Sequence, residues 1–214
     1  MALSIANFDH NSTGTKGVGG RVNFYSTSDT FATVETDGYF DSLAGYKLVS
    51  GDYIRVYSSG SGETRLYRCT VSGTDVALGD PEGLIVRRVS ATSAELKALN
   101  GTGITLIPAP GSGKYAIFEG ATCFLNYGTT TYDTQGTLTA RSGTAISDTA
   151  VSLTLANTWL FATADAVSTL KPIATDAVYV ANKPVILWCA TANPATGNGT
   201  AVFEVKYRVT SFAT

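Results

Sequence analysis

The chain holds one histidine, His10. A Ser-His-Asp triad needs that residue beside a nucleophile, and a multi-histidine metal site needs more than one. His10 lies in a polar stretch and reads as a solvated side chain. Gly111-Ser112-Gly113-Lys114 has the ending of a phosphate loop. A true loop requires glycine at 108 and a hydroxyl-bearing Ser or Thr at 115, and it opens a helix whose N-terminus holds the phosphates. Here Pro108 and Tyr115 occupy those positions and strand-like residues follow, so a hairpin turn accounts for the segment.

Paired carboxylates are the remaining reactive possibility. Asp29 with Glu35, or Asp37 with Asp41, would suit glycoside hydrolysis if held ~5–10 Å apart across a cleft. Helix caps and turns explain the same residues. No Asp-x-Asp-x-Asp-Gly loop suggests calcium, and Arg87-Arg88 is a lone basic doublet. Cys69, Cys123 and Cys189 make an odd set without a pairing pattern, each inside an apolar or alternating stretch. They read as small buried hydrophobes rather than a disulfide framework. The expectation is a protein with no catalytic residue, no metal and no cofactor. Trp159 and Trp188 read as core; Tyr39, Tyr127 and Tyr132 lie near turns and are candidates for a binding surface.

Composition narrows the class further. Apolar residues make up 44% of the 214, enough for a core, and charged residues only 15%, against ~25% in an average soluble protein. A formal net charge of −2 lacks the electrostatic footprint of a dedicated nucleic-acid binder. Aromatic and β-branched residues are too frequent for disorder, and no apolar run approaches the ~18 residues of a membrane span. Residues 1–10 have neither a basic n-region nor a continuous apolar h-region, so no signal peptide is expected and assembly in a reducing cytoplasm is. In that setting the Asn-x-Ser/Thr triplets at Asn11, Asn100 and Asn198 carry no glycosylation meaning.

The elements that must position any site are mostly strands. Residues 1–20 are polar and glycine-rich and read as an arm. A small β module follows over 21–90. Val22–Tyr25 is a strand; Ser28 or Asp29 caps a short helical turn; Asp37–Leu43 is a second helical piece closed by Gly45. Tyr53–Tyr57 and Arg65–Val71 form a hairpin, with Tyr67, Cys69 and Val71 sharing one face. Val76–Leu78 and Leu84–Val89 read as separate strands across a turn at Gly79–Gly83. Thr92 and Glu95 have capping-box spacing, and Asn100-Gly101 supplies a stop, so residues 91–102 read as a helical connector.

Residues 103–214 read as an antiparallel β-sandwich, a jelly roll being the favoured form. Ile104 and Leu106, Lys114–Tyr127 with a bend or bulge at Gly120, Thr137–Arg141, Val151–Leu155 and Val178–Val180 all read as strands. Val185–Ala190 is apolar on both faces, as a central strand is. In the last strand Ala201, Phe203, Val205, Tyr207 and Val209 alternate with Val202, Glu204, Lys206, Arg208 and Thr210, which pins the register. Ala164–Leu170 reads as helical. The fold class is therefore mainly β: a small N-terminal β-rich module, then an antiparallel sandwich, with few short helices.

Tyr25–Val34, Gly38-Tyr39-Phe40 and Val49–Val56 look like a small module of phage structural proteins, a helical pair preceding a Gly-Asp-hydrophobic strand. Glu95–Asn100 followed by Thr105–Lys114 looks like the opening of a second such module, continued by Tyr127-Gly128-Thr129-Thr130 and Val205–Val209. In order, and over most of residues 22–212, these features resemble bacteriophage virion proteins of the head-decoration, or cement, type. The resemblance implies a virion structural protein on the outer capsid surface, made in the host cytoplasm and bound to the major capsid protein. It implies no catalytic residue. A homotrimer suits a capsid threefold axis, and neither nucleic acid nor membrane is an expected partner. Ile5, Phe8, Arg21, Tyr39, Tyr127 and Tyr132 are the candidate assembly contacts. The alternative is a tail, fibre or adaptor subunit binding carbohydrate through exposed tyrosines. A glycan-degrading tail enzyme is the third possibility, although such chains are long and repetitive and no internal repeat is present here.

Overall fold

The computed structural model describes residues 8–9, 21–44, 48–133, 136–155, 157–173 and 177–211. Contacts divide the chain into two compact units, Met1–Ile85 and Val86–Thr214.

In the first unit, strand β1 (Phe8–Asp9) pairs antiparallel with β2 (Val22–Thr27). β2 pairs parallel with β3 (Tyr53–Ser58), which pairs antiparallel with β4 (Glu63–Ser72). A parallel pair needs a crossover of roughly a dozen residues or more. The segment between β2 and β3 supplies it, with the short helix α1 (Phe31–Val34) and a 3₁₀ turn at Asp41–Leu43. Phe31, Val34, Phe40, Leu43 and Leu48 from this crossover are buried with Tyr25, Ile54, Val56, Tyr67 and Cys69 of the strands. The residue preceding α1 is Thr30, which makes no side-chain cap bond, so neither Ser28 nor Asp29 caps it. Phe31 N–H is satisfied instead by Ser61 Oγ at 2.9 Å. Gly45 and residues 1–7 and 10–20 of the expected arm lie outside the described residues.

β5 (Asp75–Ala91) is one 17-residue strand where the sequence suggests two strands and a turn. Its buried positions change parity between Leu78 and Pro81, and Gly83 has φ +80°. Pro81 and Gly83 are thus absorbed as irregularities within a strand rather than as a reversal. The division between the units falls inside β5, not in the helical segment. The helix α2 (Ser93–Lys97) belongs to the second unit. It carries the expected capping box. Thr92 Oγ1 accepts from Glu95 N–H at 3.3 Å, and Glu95 Oε2 accepts from Thr92 N–H at 2.8 Å. These bonds from the Thr92 backbone and hydroxyl hold the Glu95 carboxyl below its ordinary range. The box is therefore intact at neutral pH and weakens as pH falls through that lowered value.

The second unit also contains β6 (Ile104–Ile107), β7 (Lys114–Asn126), β8 (Leu138–Ser142), β9 (Thr149–Ala150), β10 (Ala166–Leu170), β11 (Val185–Cys189) and β12 (Thr200–Ser211). Its strand orders are β5-β12-β7-β10 and β6-β11-β8-β9. Each early strand pairs with a late one: β5 with β12, β6 with β11, β7 with β10, β8 with β9. That is one long antiparallel hairpin rolled into two sheets, the eight-stranded jelly roll. β12 with β7 and β11 with β8 close the sheets. All five residues of β11 are buried, as befits a strand with neighbours on both sides. Phe203 of β12 meets Trp159 at 5.9 Å between ring centroids.

Three sequence expectations fail here. Ala166–Leu170 is strand, because its main chain pairs with Ala121–Leu125 of β7, and that ladder overrides any weak helical preference. Val151–Leu155 is not a continuous strand. Leu155 N–H bonds Leu138 O of β8, but Leu153 N–H bonds Lys171 O, so the segment changes partner and leaves Leu153 exposed. Val178–Val180 is likewise not in a ladder; the Tyr179 hydroxyl accepts from Phe118 N–H at 3.2 Å. Gly111–Gly113 form the turn into β7, and no helix follows them.

All three cysteines are buried, and none is in a disulfide. Burial pushes the Cys69 thiol up to about 11 and the Cys123 thiol up to about 12. At pH 8 a thiol-reactive chromophore is expected to find no fast-reacting group in native protein and three in guanidinium; a fast native titre would contradict this packing. Leu187→Ala in β11, where the side chain is 0% exposed, is expected to cost about 3 kcal/mol in urea unfolding. Leu153→Ala, at 51% exposure, stays within ~0.5 kcal/mol of wild type.

Candidate docking surface

Of the sequence-derived contact residues, Phe8, Arg21 and Tyr39 fall in the first unit and Tyr127 and Tyr132 in the second. Ile5 lies outside the described residues. Phe8 contributes main-chain pairing opposite Tyr25. Arg21 is buried in an ion pair with Asp52 at 2.6 Å. Tyr39 is half-buried, its hydroxyl donating to Asp29 Oδ2 at 2.8 Å and its ring edge-on to Tyr25 and Phe40. In the second unit Tyr127 is half-buried and its N–H donates to Asp165 Oδ1. Tyr132 is only 2% exposed and its hydroxyl donates to Gly199 O at 2.6 Å. Its ring fills the space beside Gly197, where a Cβ would collide with it. Arg21 and Tyr132 thus present no side-chain surface in the isolated chain.

The carboxylates have structural partners too. Glu35 accepts from Arg65 Nη1 at 2.6 Å and from the Tyr67 hydroxyl. Glu63 takes Arg65 Nη2 at 2.7 Å, and the Arg65 guanidinium lies 4.3 Å from the centroid of the Phe31 ring. Asp41 Oδ1 accepts from Val76 N–H at 2.9 Å. Burial and the neighbouring Glu35 charge raise the Tyr67 phenol well above its usual value, so it remains a donor. Among the described residues no group of three or more His, Cys, Asp or Glu is arranged to hold a metal ion.

What the fold does assemble is the outward face of β2, β3 and β4. Pairing registers place Val22 beside Tyr53 and Arg68, Phe24 beside Arg55 and Leu66, and Ser26 beside Tyr57 and Thr64. These nine residues form three rows, each exposed or half-exposed, while the alternate residues Asn23, Tyr25, Ile54, Val56, Arg65 and Tyr67 are buried behind them. Phe24 is 39% and Tyr57 49% exposed. The Arg55 guanidinium stands 5.7 Å from the Phe24 ring centroid, a cation–π contact that orients it outward from the strand. Tyrosine, phenylalanine and arginine are the types enriched at interface cores and hot spots. The charged members of the grid, Arg55 and Arg68, are both positive.

The alternation Tyr53-Ile54-Arg55-Val56-Tyr57 carries the signal for one strand of this face, because period 2 separates Tyr, Arg and Tyr from Ile and Val. The parallel neighbour that completes the grid has no local signal. A deep polar tie sets it. Asp52, just before β3, accepts from Arg21 N–H at 3.1 Å, Arg21 Nη2 at 2.6 Å and Val49 N–H at 3.1 Å. Tyr53 N–H returns to Arg21 O at 2.6 Å.

Asp52→Asn keeps the volume but leaves the buried Arg21 charge without its counter-ion. It is expected to destabilise the chain by about 3 kcal/mol or more in urea unfolding, since removing one partner of a buried pair costs ~3–5 kcal/mol. A loss under ~1 kcal/mol would show the pair to be dispensable. No family model, no curated protein and no solved structure matches the chain.

Proposed function

We propose that this chain is a bacteriophage virion structural protein, a decoration (cement) protein that seats on the outside of the major capsid lattice and stabilises it. The observation that carries the reading is the outward grid of the first unit: tyrosine, phenylalanine and two arginines held in register over a buried, charge-paired core. The order of phage-like segments along the chain supports the same reading.

Such a protein acts by area and symmetry. A specific interface buries ~800 Å² per partner, and its energy concentrates in a few aromatic and arginine side chains. Here Tyr57 and Phe24 supply apolar area, and Arg55 and Arg68 select an acidic patch on the capsid protein. Their strands are tied by main-chain ladders, so little conformational freedom is lost on docking. A homotrimer on a threefold axis presents three such faces at once, and the second and third contacts then benefit from effective concentration. The chain's slight negative charge does not favour DNA as the partner.

Adding the purified protein to shells that lack it is expected to raise the shells' melting temperature. Arg55→Ala and Tyr57→Ala are each expected to weaken seating tenfold or more, about 1.4 kcal/mol, with the chain's own melting unchanged. Val178→Ala, in the second unit, is the control and seats normally. Shells that gain no stability, or protein found only on tails by immunogold labelling, would overturn the proposal.

A further inference from the structure

The second unit has a notch that the docking surface does not use. It is a cavity of about 260 Å³ on the sheet of β12, β7 and β10. Its origin is a β-bulge. Lys206 of β12 pairs with Gly120 and Tyr207 with Phe118, so Glu119 is the extra residue on β7. Gly120 has φ +134°, which an L side chain rarely adopts, and a Cβ there would press to 3.3 Å from Leu170 O. The central strand therefore contributes no side chain at the row where Lys206 flanks it on one side. Lys171 follows the last paired residue of β10 and lines the other side. Thr122 and Thr169, directly paired across β7 and β10, add two hydroxyls.

The chemistry of this lining is specific in kind. Two ammonium groups, both on exposed residues, call for an anion. Glu119, steadied by Arg208 Nε at 3.1 Å, is an acceptor beside them. An inorganic anion or a bare carboxylate would leave that acceptor unused. A ring bearing one carboxylate and several hydroxyls satisfies both: the carboxylate goes between the lysines, a hydroxyl donates to Glu119, and others bond Thr122 and Thr169. The volume is below the ~300 Å³ at which pockets begin to take drug-sized ligands, which fits one sugar residue. We propose that the Gly120 notch binds an acidic monosaccharide unit, a uronic or sialic acid, of a surface polysaccharide. The site stands apart from the capsid-docking reading, and either can fail without the other.

Calorimetric titration of the full chain with methyl β-D-glucuronide and with the methyl glycoside of N-acetylneuraminic acid tests this. Methyl β-D-glucoside, acetate and a hexaglutamate peptide are the comparisons. At least one acidic glycoside is expected to bind saturably, with the glucoside, acetate and peptide each tenfold weaker or worse. Lys171→Ala and Lys206→Ala should each weaken it at least tenfold, and Glu119→Gln should weaken the glycoside while leaving acetate unchanged. All three variants should melt like wild type and seat on shells normally. Binding by neither acidic glycoside, equal binding of the glucoside, or equal binding of acetate or hexaglutamate would overturn the assignment, the last pointing to an acidic protein partner instead. Unchanged binding in both lysine variants would overturn it as well.

Discussion

The first unit depends on a carboxylate that has no water to lean on. Asp52 is fully buried, and its charge is tolerable only because Arg21 and two main-chain N–H groups surround it. Arg21 immediately precedes β2 and Asp52 immediately precedes β3, so meeting this demand places Val22 opposite Tyr53. A slip of one residue would pull the two groups out of reach and turn the buried face outward at the same time. A buried ion pair adds little net stability over an apolar pair of similar volume. What this one supplies is a penalty on every other register of a parallel pairing that no tight turn could dictate.

The outward grid inherits its order from that constraint. Phe24 lies beside Arg55 only because β2 and β3 are locked, and Arg55 lies beside Leu66 through the β3–β4 hairpin. The second buried tie, Arg65 between Glu35 and Glu63, fastens the crossover to β4 from beneath. Side chains that face outward are thus carried by a layer whose inner contacts are both apolar and ionic. Under the proposed reading, docking on such a layer loses little entropy.

In the second unit, the regular ladders and the interruption at Gly120 have different consequences. Rolling a single hairpin into β5-β12-β7-β10 and β6-β11-β8-β9 satisfies the main-chain ladder over eight strands and buries β11 completely. The bulge at Glu119 and Gly120 breaks the β7–β12 ladder at one row. Bulges re-aim side chains and open concavities in an otherwise flat sheet, and here the opening falls where lysines flank a glycine.

Local signals in the sequence sufficed for the strand-rich class, the capping box at Thr92 and Glu95, the bulge at Gly120, the buried cysteines and the alternation of β12. Each depends on residues a few positions apart, through period 2, a helix cap or the steric freedom of glycine. Tertiary structure alone decided that β2 and β3 run parallel, that Ala166–Leu170 is strand, that β5 continues through Pro81 and Gly83, and that Arg21 and Tyr132 face inward. The outward grid and the notch belong to that second group. Their residues come from strands distant in the chain, and only pairing brings them together. Alternation says which side chains share a face, but the identity of the neighbouring strand is settled by burial and by charges that must find their partners.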